Sequence, residues 1–250
     1  MKKCLLLSLT VGVLNTMAVA QIAYDDAADG AYSGGNVHGL NGGYGFSPWI
    51  SNPTSNTGTA GNFQYTSSQN GNGASGNIDT SGKSFGLYAN SSAFSDLVRP
   101  INVSMSGVRT VFVDWDCGWI DNGQYSYVAI GNYRFGFTGG GTNFWYDIGA
   151  GQIDTGLAFS TDGISLKLAL NGTGGYNFSA TSLATSSVFA TANFSGAQIP
   201  TQIRAVNSNA GFNASNNSYI NRLKVVAPEP GSFVAVGVGL AIAFMAKRRR

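Results

Sequence analysis

Between residues 21 and 226, no stretch keeps apolar side chains at i, i+3, i+4 and i+7 over three turns. A helix without that stripe has no face to bury, so this segment cannot build a helical core. It carries instead short runs of apolar–polar alternation bounded by Gly, Asn, Ser and Asp. Residues two apart share one face of a strand. Val111, Val113, Trp115 and Cys117 are therefore expected to form one buried stripe. Strands are expected at 63–66, 83–89, 101–105, 109–117, 124–137, 143–148, 157–159, 164–170, 175–180, 187–194, 198–206 and 219–226. Many short strands of this kind predict an all-β fold, an antiparallel β-sandwich.

Turn chemistry divides these runs. Ser106-Gly107 predicts a hairpin between 101–105 and 109–117, and Asp121-Asn122-Gly123 a tight turn into 124–137, because Asn and Gly accept positive φ. Residues 51–82 are rich in Ser, Asn, Thr and Gly and read as polar loops around one edge strand.

The two ends have a different character. Lys2 and Lys3 precede an apolar stretch at 5–13, and Ala18-Val19-Ala20 stands just before Gln21. This is the three-zone order of a secretory signal, with signal peptidase expected to cut after Ala20. Thr10, Asn15 and Thr16 interrupt the apolar run well before the roughly 20 residues that a membrane span needs. Cys4 lies ahead of the apolar zone, the wrong place for a lipid-acceptor cysteine.

At the other end Pro228-Glu229-Pro230 leads into an uncharged run at 232–246 and then Lys247, Arg248, Arg249 and Arg250. Each proline lacks an N–H and biases its predecessor toward extended backbone, so the linker should be open to an enzyme. At 1.5 Å per residue the apolar run is too short for a hydrocarbon core of about 30 Å unless the terminal cations snorkel. The basic cluster predicts a cytoplasmic C-terminus and an exported body.

Proline linker, apolar run and arginine cluster together resemble the PEP-CTERM sorting signal of Gram-negative bacteria, also labelled the ice-binding protein C-terminal domain. The resemblance covers only the last two dozen residues. It implies transient anchoring in the inner membrane, removal of the tail by an exosortase, and delivery to the cell surface or extracellular matrix. The organisation expected is a signal peptide at 1–20, a sandwich body at 21–226 and a sorting signal at 227–250. Two looser resemblances lie in the body. The segment with Tyr24-Asp25-Asp26-Ala27 and residues 42–49 resembles the start of many exported PEP-CTERM proteins, and its aromatics should pin the first strand onto the sandwich. The run 219–226 resembles the closing strand of jelly-roll and concanavalin-like domains.

The formal charge of +2 belongs largely to the ends. The body has eight Lys and Arg against eleven Asp and no Glu, a net charge near −3. Nucleic acid is not an expected partner, since phosphate neutralisation needs a clustered basic face. Cys117 is the one cysteine left after signal removal, so no internal disulfide can form, and its place in the apolar stripe predicts a small buried hydrophobe.

Little in the body points to catalysis. His38 is the only histidine, and no Gly-x-Ser-x-Gly elbow surrounds any serine. A two-carboxylate glycosidase would have to use Asp alone. Asp114, Asp116 and Asp121, with Gly118 among them, offer oxygens for a calcium ion but match no EF-hand. The competing expectation puts Asp114 and Asp116 on a solvated strand face. Trp49 and Trp119 are candidate sugar-stacking platforms, although aromatics also fill sandwich cores. Seven Asn-x-Ser/Thr sequons occur, as chance would produce in so Asn- and Ser-rich a chain, and carry no inference.

The expectation is a non-enzymatic exported surface or matrix protein with a structural or adhesive role. The alternative is a carbohydrate-binding, lectin-like module taking extracellular polysaccharide, with structural calcium. A third reading, a hydrolase built on Asp pairs, is the least supported.

Overall fold

The computed structural model describes residues 19–33, 35–54, 58–71, 76–195 and 198–228, and only the backbone of 189–191. Two antiparallel sheets hold every strand of the described residues. The larger, eight-stranded sheet contains β1 (Val19–Asp25), β3 (Ala60–Tyr65), β4 (Ser84–Ala89), β6 (Val108–Cys117), β11 (Ile164–Asn171), β12 (Gly175–Ser182), β13 (Val188–Ser195) and β15 (Ser218–Pro228). Its order is β13-β12-β11-β6-β15-β4-β3, with β1 also on β15. The smaller, seven-stranded sheet runs β10 (Gln152–Ala158), β9 (Asn143–Asp147), β8 (Tyr133–Thr138), β7 (Tyr125–Ile130), β14 (Gln202–Ser208), β5 (Phe94–Pro100) and β2 (Ile50–Ser51).

One core joins the inner faces. Val111, Val113 and Trp115 of β6 and Leu166 and Leu168 of β11 meet Val128 of β7, Phe135 of β8, Phe144 of β9 and Ile203 of β14, all essentially without solvent contact. The predicted stripe ends as expected in Cys117, which is buried. Removal from water pushes its thiol well above the ordinary range, in keeping with a packed hydrophobe. Residues Gln21–Ala227 make one compact unit.

Three local expectations are corrected. The hairpin of 101–105 with 109–117 does not form: the strand before the crossing is β5, which pairs along its whole length with β14 in the smaller sheet, while β6 pairs with β11 and β15 in the larger. The expected strand 124–137 is two, folded at Gly131-Asn132, where Ile130 faces Tyr133 and Gly131 takes φ +61°. Asp121-Asn122-Gly123 does turn, with Gly123 at φ +77°, but it carries the chain from one sheet to the other and closes no hairpin.

The Gly- and Tyr-rich opening segment is tied down by a buried polar knot. Arg99 of β5 pairs with Asp25 of β1 at 2.9 Å. It donates to the carbonyls of Ser47 (2.5 Å) and Gly42 (2.7 Å). Its guanidinium lies over the rings of Phe46 and Trp49. Tyr32 donates its hydroxyl proton to Asp25 and accepts from Gly42 N–H and Trp49 Nε1. Burial pushes the Asp25 carboxyl up to about 7, against the lowering pull of Arg99 and Tyr32. The expectation that this segment's aromatics pin β1 is met for Tyr32, Phe46 and Trp49, through this charged centre.

Candidate ligand-binding surfaces

The loop after β6, residues 118–124, and the loop between β14 and β15, residues 209–217, are laced into one platform. Gly118 N–H donates to Asn217 O (3.0 Å), Trp119 N–H to Ser215 O (2.8 Å) and Asp121 N–H to Ala210 O (2.8 Å). The buried side-chain amide of Asn216 donates to both Trp119 O and Ala210 O. A Cβ on Gly118 would lie 2.0 Å from Ser215 O, so only glycine permits the loops to approach this closely. The Asn216 side chain likewise sits 2.5 Å from where a Cβ on Gly211 would be, and Gly211 takes φ +136°.

This scaffold presents two uncovered aromatics. Trp119 is 60% exposed and leans on Phe159 with ring centroids 5.3 Å apart. Phe159 in turn stacks on Phe137. Phe212 is 75% exposed. Loops fixed by backbone bonds hold flat apolar surfaces in water at little entropic cost to a ligand, which is the requirement for stacking on sugar C–H faces. Phe212 was not singled out from sequence, because nothing in Gly211-Phe212-Asn213 separates a displayed Phe from a buried one.

The other predicted positions fall elsewhere. Trp49 is 1% exposed, packs 4.8 Å from Phe85 and donates to Tyr32; it fills the core and cannot serve as a platform. Asp114 and Asp116 do share the outer face of β6, but the solvated face is corrected, since both are buried. Asp114 pairs with Arg222 of β15, and burial raises its carboxyl against that pull. Asp116 accepts from Asn70 Nδ2 (2.9 Å), beneath the segment 66–71 that also covers Tyr219 through Gln69. Asp121 is exposed in the 118–124 loop. Among the described residues no three or more His, Cys, Asp or Glu gather where a metal ion would sit. His38 Nδ1 accepts the Ser51 N–H at 3.0 Å, an ordinary loop contact.

Ala20 and Gln21 lie in β1 and Pro228 ends β15. Ala18, Glu229, Pro230, the run 232–246 and Lys247, Arg248, Arg249 and Arg250 lie outside the described residues. Among the described residues no helix is long and apolar enough to cross a membrane.

No family model matches the chain, and no curated protein matches it. Solved structures with a similar arrangement include the carbohydrate esterase vb_24B_21 of the Shiga toxin-encoding bacteriophage phi24B, 10% identical at a TM-score of 0.49 over 85% of this chain and 100% of that one. The receptor-binding domain of a botulinum neurotoxin C/D mosaic is 9% identical at a TM-score of 0.44 over 87% of this chain. The binding domain of botulinum neurotoxin serotype D is 9% identical at 0.44 over 85%. The chain spans about half the length of the two neurotoxin structures, 50% and 49%. All three likenesses fall below a TM-score of 0.5.

Proposed function

We propose that this chain is an exported bacterial surface or extracellular-matrix protein, processed by signal peptidase and then sorted by an exosortase through Pro228-Glu229-Pro230. Its sandwich, of jelly-roll or concanavalin-like type, serves as a non-enzymatic structural or adhesive module. The observation that carries the sorting reading is the ordered tail of proline linker, apolar run and arginine cluster. Mass spectrometry of the mature protein from a Gram-negative host should find a start at Gln21 and an end between residues 228 and 232. An intact Arg250 on the surface-exposed product would overturn exosortase processing.

A second reading, a carbohydrate-binding body, is favoured by Trp119 and Phe212 standing uncovered on hydrogen-bonded loops. Glycan-array binding that is lost in Trp119→Ala would support it, and loss with a chelator would add calcium to it. Retention of all binding in Trp119→Ala would remove the loop platform from consideration.

A further inference from the structure

The outer face of the smaller sheet carries an open groove of about 370 Å³, within the range of small-ligand sites. Cross-strand register builds it. Val98, Arg204, Ala129, Arg134 and Asp147 form one row across β5, β14, β7, β8 and β9. Ala129 is the low point between two arginines that stand two strands apart, about 10 Å at the backbone. Asn132, whose amide donates to Gln198 at 3.1 Å, and Gln202 line the same groove, and Tyr127 forms part of its wall.

The charges are arranged asymmetrically. Asp96 and Asp147 are buried and do not line the groove. Asp96 holds Arg204 by two hydrogen bonds of 2.9 and 2.8 Å, and Asp147 holds Arg134 at 3.3 Å. Each guanidinium is thus held sideways by a carboxylate of the neighbouring strand on the same face, while its side chain stays accessible, 34% for Arg204 and 47% for Arg134. The bonds of Arg204 use Nε and Nη2, leaving Nη1 for a ligand. Arg134 also lies 5.7 Å from the Tyr127 ring centroid, and Tyr125 stacks beside Tyr127. Among the described residues the lining thus contains two arginines, each ion-paired to one side, two amide-bearing side chains and no acid.

We infer that this groove binds a carboxylate-bearing polysaccharide segment, with sugar carboxylates on the Arg134 and Arg204 guanidiniums and hydroxyls on Asn132 and Gln202. Planar guanidiniums match carboxylates in a way that neutral sugars cannot exploit. Nucleic acid does not fit, because only two arginines meet here and phosphate binding needs a clustered basic face. The choice of a polymer over a free acid rests on the adhesive reading above; the choice of a carboxylate does not.

The test is binding of the full chain, purified in mild detergent, to polygalacturonate, its methyl ester and free galacturonate. Expected are binding of polygalacturonate that weakens with salt, and about tenfold weaker binding for Arg134→Gln and for the methyl ester. Asn132→Ala should lose less, and Lys167→Gln, on the exposed outer face of the larger sheet, nothing. Unchanged affinity in Arg134→Gln, or equal affinity for the methyl ester, would overturn the inference. Loss in Trp119→Ala alone would overturn the groove while leaving a glycan-binding loop platform standing. Free galacturonate binding as tightly as the polymer would overturn the polymer and keep the carboxylate site. No binding to polygalacturonate would overturn the groove, and no binding to any glycan in either surface's assay would remove both binding sites.

Discussion

At the scale of single residues, burial decides what each polar group does. Asp25 has no solvent exposure, and its carboxyl is raised from 3.8 to about 7, chiefly by desolvation. A raised carboxyl in the folded state means that folding takes up a proton between these values. Its stabilising contribution is complete below pH 3.8 and is lost as pH rises through about 7. Asp25→Asn keeps the shape but not the titration. The unfolding free energy of wild type minus that of this variant should therefore be largest at the acid end, fall by at most about 1.4 kcal/mol per pH unit up to about pH 7, and level off above it. Urea denaturation at several pH values checks it, and a pH-independent difference would contradict the buried titration. Gly118 makes a steric case. An added methyl must displace Ser215 O and Asn70 Oδ1, so Gly118→Ala should cost about 2 kcal/mol in the same assay. Trp119→Ala, which uncovers only Phe159 at the surface, should stay within about 0.5 kcal/mol of wild type.

At the scale of elements, β15 is the instructive strand. Its pairing with β6 slips between Asn221 and Lys224, and Arg222 sits in this bulge at φ +50°. Positive φ in a side-chain-bearing residue costs on the order of 1 kcal/mol, which glycine would relieve. The bulge, however, lets Arg222 reach Asp114 on the neighbouring strand. Arg222→Gly leaves that buried carboxylate without its cation. The variant should be less stable than wild type at pH 8 and recover at pH 5, since Asp114, already raised by burial, then takes up a proton more readily. Equal deficits at both pH values would show that the ion pair is not what the bulge secures. Strand β5 shows why some elements were hidden in the sequence. Phe94-Ser95-Asp96-Leu97-Val98-Arg99-Pro100 carries two charges in seven residues and reads as loop. Each charge has a distant partner, Arg204 for Asp96 and Asp25 for Arg99, and no local pattern announces partners that far away.

At the scale of the whole molecule, the last strand of the body is an interior one. β15 lies between β6 and β4, so the core closes only when the end of the body is in place. A chain lacking 228–250 should unfold cooperatively at the same temperature as the full chain, while one ending at 217 should show no cooperative transition by circular dichroism. Local alternation and turn residues determined the all-β class, most strand positions and the core role of Cys117, because pleat and turn act over a few residues. Only the tertiary structure decided which strands share a sheet, that Trp49 is enclosed while Trp119 is displayed, that Asp114 and Asp116 are buried, and that Arg134 and Arg204 flank one groove. Those outcomes depend on pairings across tens to more than a hundred residues, and the burial of a side chain is set by what other segments bring to cover it.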